Sequence, residues 1–165
     1  MKVLITGGAG FLGRRLAQAL LARGALSGPE GGFAPLERLV LLDVVPAAGF
    51  DDPRVTAVSG DVADSALLRE LVDADTGVVY HLAAVVSGQA EAEFDLGMRI
   101  NLDAARGLLE ACRAAGHRPR VLFTSSVAVY GGELPETVQE TTALNPQSSY
   151  GTQKALAELL LSDYT

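Results

Sequence analysis

Residues Met1–Gly13 read MKVLITGGAGFLG, and no other stretch restricts the fold as severely. The apolar run Lys2–Thr6 has the length and composition of a strand. It passes directly into Gly7-Gly8-Ala9-Gly10-Phe11-Leu12-Gly13, and Arg14–Arg23 then carries helical spacing with Leu16, Ala19 and Leu20 on one side. Strand, glycine turn and helix in that order form a loop suited to a dinucleotide. Gly7 permits the tight turn, Gly10 lets the backbone approach a pyrophosphate, and Gly13 lets the helix pack closely on the strand. The helix N-terminus offers N–H groups and a positive dipole end to phosphates. The spacing Gly7-x-x-Gly10-x-x-Gly13 differs by one residue from GxGxxG. A plain glycine-rich turn is the competing reading.

The rest of the chain repeats the alternation. Gly24–Leu36 reads as a surface loop. Arg38–Leu42 is a second buried strand ending in Asp43, and Pro46–Pro53 is a further loop. Arg54–Ser59 is a third strand, followed by Gly60-Asp61-Val62. Asp64 has the position of an N-cap for a helix carrying Leu67, Leu68, Leu71 and Val72. Gly77–Leu82 is a fourth strand closed by Ala83-Ala84. Glu91–Ala115 is the longest helical pattern, with Phe94, Met98, Leu102, Ala105, Leu109 and Cys112 on one stripe and Asn101 within it. Gly116 has the position of a C′ residue. Arg120–Ser126 is a fifth strand, Gly131–Ser148 a long loop, and a last helix runs from Ser149 through Thr165. Strands separated by helices or long crossovers predict an α/β fold, a doubly wound parallel sheet in one domain over 1–165. A five-strand sheet followed by an unterminated helix predicts that part of a longer chain is absent.

Composition narrows the partners. The 165 residues carry a net charge of −7, with 13 basic and 20 acidic residues. No basic stripe is present, so neither nucleic acid nor an anionic membrane is an expected partner. The single Cys112 excludes an internal disulfide and a cysteine metal cluster, and no metal site is expected. The first apolar run is too short for a signal peptide, and none approaches a membrane span; the expectation is a cytoplasmic protein. Nearly half the residues (48%) are hydrophobic, as a sheet buried on both faces requires.

Ligands of open α/β sheets bind outside the carboxyl ends of the strands. Those ends hold Gly7–Gly13, Asp43, Asp61-Val62, Ala83-Ala84 and Ser125-Ser126. An acidic residue in the place of Asp43 accepts from adenosine ribose hydroxyls and repels a 2′-phosphate, so NAD is the expected cofactor. Capping or packing roles for Asp43, Asp61, Ala83 and Ala84 are the alternatives. Tyr150 and Lys154 stand at i, i+4 on one helix face. An ammonium beside a phenol favours the phenolate, which makes Tyr150 a candidate general acid/base. Lys154 is also placed to hold the nicotinamide ribose. The chain writes its cations as 11 Arg against two Lys, so a Lys in this position is not background. Thr124, Ser125 and Ser126 are all candidates for a donor that steadies the substrate oxygen. Asn101 is either a satisfied core amide or the organiser of a water or backbone group near the lysine. His81, inside a strand, reads as structural.

Together Thr6–Gly13, Asp61-Val62, His81-Leu82-Ala83-Ala84, Ser125–Gly131 and Tyr150-x-x-x-Lys154 resemble the extended short-chain dehydrogenases/reductases, the family of nucleotide-sugar epimerases and dehydratases. The resemblance covers the whole chain and implies a Rossmann fold. It singles out Ser126 as the catalytic serine, Tyr150 as acid/base, Lys154 as its activator, and matches Asn101. It implies that Gly7, Gly10, Phe11, Leu12, Gly13, Asp43, Asp61, Val62, Leu82, Ala83, Ala84, Tyr150 and Lys154 bind the cofactor. It implies also that the family's C-terminal substrate-binding part is absent here. The stretches 81–101 and 146–154 are similar to the D-erythronate dehydrogenase branch, which oxidises the 2-hydroxyl of a four-carbon sugar acid with NAD. The implied activity is oxidation of a secondary hydroxyl of a small sugar acid. The alternatives are a nucleotide-sugar epimerase or dehydratase using bound NAD, and a non-catalytic NAD-responsive regulator. The family's habit implies a homodimer through the 91–115 and 149–165 helices.

Overall fold

The computed structural model of the chain describes residues 1–28 and 31–165. In chain order it contains β1 (Lys2–Thr6), α1 (Phe11–Arg23), β2 (Ala25–Ser27), β3 (Phe33–Pro35), β4 (Arg38–Asp43), β5 (Val55–Ser59), α2 (Ser65–Leu71) and β6 (Thr76–His81). Then come α3 (Ser87–Ala92), α4 (Phe94–Gly97), a π-helical segment (Met98–Asp103), α5 (Ala104–Ala114), β7 (Arg120–Phe123), a 3₁₀ turn (Val127–Val129) and α6 (Ser149–Asp163). Two compact units emerge: Met1–Ala83 with Gly107–Phe123, and Ala84–Arg106 with Thr124–Thr165.

The first unit holds a parallel sheet of five strands in the order β5-β4-β1-β6-β7. β1 is central, and its register sets Thr6 beside Leu42 of β4 and His81 of β6. The carboxyl ends of three neighbouring strands are therefore level. Both faces are apolar, as a parallel sheet demands. Val3, Ile5, Leu39, Leu41 and Val78 pack with Ala17 and Leu20 of α1. Leu4, Leu42 and Val79 have the opposite parity along their strands and are equally sealed from water, as are Leu68 of α2 and Leu108 of α5. Asp64 caps α2 as its position predicts, accepting from the Ala66 and Leu67 N–H groups at 2.9 and 3.2 Å.

Several boundaries differ from the sequence reading. The stretch 24–36, expected as a loop, contains the antiparallel pair β2 and β3. Gly24 turns with φ +68°, the Leu36 N–H returns to the Gly24 carbonyl at 2.9 Å, and Leu26 and Leu36 enter the core. Strands of three residues are too short to show alternation. Pro29 and Glu30 of that stretch lie outside the described residues. Helix α1 starts at Phe11 rather than Arg14, and its buried residues are Gly13, Ala17 and Leu20, with Ala19 exposed. The single helix expected over 91–115 is divided into α3, α4, the π-helical segment and α5. The wider π turn breaks the 3.6-residue phase, so Phe94, assigned to the inward stripe, is 58% exposed. Strand β7 stops at Phe123, leaving 124–126 beyond it, and α6 ends at Asp163 rather than running on.

The central strand carries the first unit's packing. Leu4→Ala is expected to destabilise it by about 2–5 kcal/mol, the usual cost of a buried leucine truncation. Urea unfolding followed by circular dichroism should show a lowered midpoint with an unchanged m value.

Candidate functional site

In the first unit the glycine turn is shaped by what its glycines lack. Gly7 adopts φ +73°, and a Cβ there would lie 2.9 Å from the Ala83 nitrogen. A Cβ on Gly13 would run into the Gly7 carbonyl oxygen, and one on Gly8 would lie 2.8 Å from the Leu41 Cβ. Gly10 is different: its Cβ direction meets only the Gly7 oxygen, at 3.3 Å, and the residue is exposed. Gly10 is the N-cap of α1, no side chain caps the helix, and its first turn holds no acidic residue. The early N–H groups of α1 are thus presented without a competing carboxylate, which is what an anion at a helix N-terminus requires.

The neighbouring strand ends close on the turn. Asp43 Oδ2 accepts the Ala9 N–H at 3.0 Å, and Oδ1 accepts the Val44 N–H at 2.8 Å. The Gly8 N–H donates to the Leu42 carbonyl at 3.0 Å. The Leu82 N–H donates to the Thr6 carbonyl, and the Ala83 N–H donates to Thr6 Oγ1 at 3.2 Å. Thr6 Oγ1 also shares a 2.7 Å hydrogen bond with His81 Nδ1, and the His81 ring stacks on Phe123 at 5.8 Å. His81 is a framework residue, as its place inside a strand predicts. Gly7, Asp43, Leu82 and Ala83 are therefore brought together. Phe11 and Leu12 stand exposed on the first turn of α1. Asp61 and Val62 follow β5, two strands from β1. The Asp61 carboxylate accepts the Ala63 N–H at 2.8 Å, and the Val62 side chain is core.

The second unit gathers Ser126, Tyr150, Lys154 and Asn101, and Ala84 is its first residue. Ser148 begins α6, its hydroxyl accepting the Gly151 N–H at 3.0 Å. Gly151 lets the helix close on the 3₁₀ turn, since a Cβ there would strike the Ala128 carbonyl oxygen. Ser126 caps that turn, accepting the Ala128 N–H at 3.2 Å. Lys154 is 2% exposed, and its Nζ donates to the Thr124 carbonyl at 3.1 Å. The same ammonium lies 5.9 Å from the centre of the Tyr150 ring. Burial pushes the Lys154 amine down to about 8. Asn101 is buried in the π-helical segment. Its Oδ1 accepts the Val85 N–H at 3.0 Å, and its Nδ2 donates to the Val85 carbonyl and to Gln153 Oε1, at 3.2 and 2.8 Å. Two contributors were missed by sequence reasoning. Gln153 is fully buried, and Glu91 Oε1 accepts the Tyr150 N–H at 2.8 Å. Nothing local marked either, since Gln153 lies between Thr152 and Lys154 in the polar start of α6.

The chain matches the family described as NAD dependent epimerase/dehydratase family over residues 3–165. It is 68% identical over 165 residues to D-erythronate dehydrogenase of Cupriavidus necator, a match covering all of this chain and 51% of that protein. The crystal structure of the nucleoside-diphosphate-sugar epimerase from Agrobacterium tumefaciens superposes with a TM-score of 0.90 at 44% identity, covering 99% of this chain and 48% of the other. UDP-glucose 4-epimerase from Brucella ovis, solved in complex with NAD, gives 0.80 at 31% identity, covering 99% and 47%. The chain spans about half the length of the curated relatives it matches.

The Lys154 amine has a testable sign. Its folded value lies below the ordinary lysine value of about 10.4, so between about pH 8 and that value the unfolded chain binds the extra proton and stability rises with pH. Cys112, whose thiol burial pushes up to about 11, acts in the opposite sense. The measurement is therefore a difference: the stability of the wild type relative to Lys154→Met should grow as pH rises from about 8 to about 10, read by chemical denaturation.

Proposed function

Because this chain belongs to the NAD dependent epimerase/dehydratase family, we propose that it carries the cofactor and proton-transfer machinery of an NAD-dependent dehydrogenase. Its proposed substrate is a small sugar acid such as D-erythronate. The observation that carries the reading is the Tyr150–Lys154 pair, with its ammonium sealed from water and held on the Thr124 carbonyl. The name of the Cupriavidus necator relative supports the substrate class.

The residues of the first unit fit a dinucleotide. The uncapped N-terminus of α1 and the open side of Gly10 suit its pyrophosphate, and Asp43 suits an adenosine ribose bearing a free 2′-hydroxyl. A 2′-phosphate would meet the Asp43 carboxylate, so NAD is preferred over NADP. Leu82 and Ala83, drawn onto the turn by Thr6, line the exit of β6 with short backbone-led surfaces. When bound, the nicotinamide supplies hydride acceptance from the substrate carbon.

The second unit supplies the proton chemistry. Tyr150 Oη takes the proton of the substrate hydroxyl as its carbon is oxidised to a ketone. Lys154 holds its ammonium 5.9 Å from the centre of that ring, beside the phenol. Ser126 Oγ donates to the substrate oxygen, a role compatible with its accepting the Ala128 N–H. Asn101 supports the pair through the backbone of Val85 and through α6. The exposed apolar side chains of Phe94, Leu156 and Leu159 support pairing of two copies through the 91–115 and 149–165 helices.

Names among the solved relatives favour one rival, a nucleotide-sugar epimerase. The protein should form NADH from D-erythronate, followed at its absorbance band. Tyr150→Phe should lower kcat by about 100-fold or more. Turnover of UDP-sugars without net NADH would replace the dehydrogenase reading with the epimerase one.

A further inference from the structure

Gln153 sits between Tyr150 and Lys154 in sequence, yet its side chain belongs to a different structure. It is 0% exposed. Its Oε1 accepts from Asn101 Nδ2 at 2.8 Å, and its Nε2 reaches Ser149 Oγ at 2.9 Å. The orientation of this amide is dictated. Asn101 is fixed by the Val85 N–H and carbonyl, so it can offer Gln153 only a donor. A flipped Gln153 would set donor against donor in a dry site.

Space enforces the same arrangement. A Cβ on Gly97, the last residue of α4, would lie 2.6 Å from Gln153 Nε2 and 3.0 Å from Oε1. The amide therefore packs against the backbone just before the π-helical segment, in the space that Gly97 leaves for it. Gly97, Asn101, Gln153 and Ser149 form one chain of contacts from α4 through the π turn to the first turn of α6. Tyr150 and Lys154 flank Gln153 on that helix, so any rotation of α6 about its axis carries all three together.

We propose that Gln153 is a positioning residue: its amide, wedged on Gly97 and bonded to Asn101, sets the rotation of α6 that presents Tyr150 and Lys154. The value of this role to catalysis rests on reading Tyr150 and Lys154 as the proton-handling pair. The anchoring itself does not, and it has a readout independent of turnover. With lysine labelled with ¹³C at Cε, the signals of Lys2 and Lys154, assigned by Lys2→Arg and Lys154→Met, can be titrated by NMR. Lys2, bonded to Asp73 at 2.7 Å in the other unit, is the internal reference.

Gln153→Met keeps the volume and removes both hydrogen bonds. The expected result is a folded chain in which the Lys154 midpoint moves upward, toward the ordinary lysine range, by about half a pH unit or more, while Lys2 stays where it was. Gly97→Ala leaves every polar group of the network in place and pushes the amide from its seat; it should shift Lys154 in the same direction. It also covers the case in which Gln153→Met fails to fold. A folded variant of either kind with Lys154 titrating as in the wild type would make Gln153 a core filler and overturn the proposal. Failure of both to fold would overturn it too, assigning the amide to global stability. A protein showing the shift but forming no NADH from D-erythronate would retain the positioning role and lose the substrate reading.

Discussion

Taking an ammonium out of water opposes folding, and the second unit is arranged around one such group. Lys154 is accepted because the chain beyond β7 turns a backbone carbonyl, that of Thr124, toward its Nζ. Helix α6 can reach that carbonyl because Gly151 lets it settle on the Ala128 backbone. Its free N–H groups are met from two directions, by Ser148 within the chain and by Glu91 from α3. Each of these contacts is ordinary alone. Together they hold a weakly basic amine 5.9 Å from the centre of a phenol ring.

The first unit solves a different problem with the opposite means. At the end of β1 the packing leaves little room for side chains. Gly7, Gly8 and Gly13 are excluded from carrying a Cβ by neighbouring backbone or core atoms, and the hydroxyl of Thr6 draws the start of the 82–83 segment inward. Asp43 then does two things. It orders the turn through the Ala9 N–H, and it sets a carboxylate at the carboxyl end of β4. Order in the turn thus comes from the strand ends together with its own bond from the Gly10 N–H to the Gly7 carbonyl.

What the sequence made legible follows from how local each signal is. β1, the Asp64 cap and the start of α6 at Ser149 depend on a few adjacent residues, and all three are found where the pattern places them. The sheet is equally legible, because runs such as Leu39–Leu42 leave no polar face. The hairpin of β2 and β3 was hidden by its brevity. The π-helical segment was hidden because its cause is not local: Asn101 is held there by Val85 and by Gln153, 52 residues further on. A periodicity argument assumes a constant pitch, and one wide turn was enough to misplace Phe94. Thr124 was weighed as a side-chain donor, whereas its carbonyl is what meets Lys154.

Both lysines are almost inaccessible, Lys2 at 5% and Lys154 at 2% exposure. Every cationic side chain on the surface is consequently an arginine, whose guanidinium keeps its proton under all ordinary conditions. Reagents that acylate amines will find the surface of this chain nearly silent, apart from the α-amine. Alkaline media will strip no positive charge from its exterior side chains. The amine at position 154 is then shielded from such reagents in the folded chain.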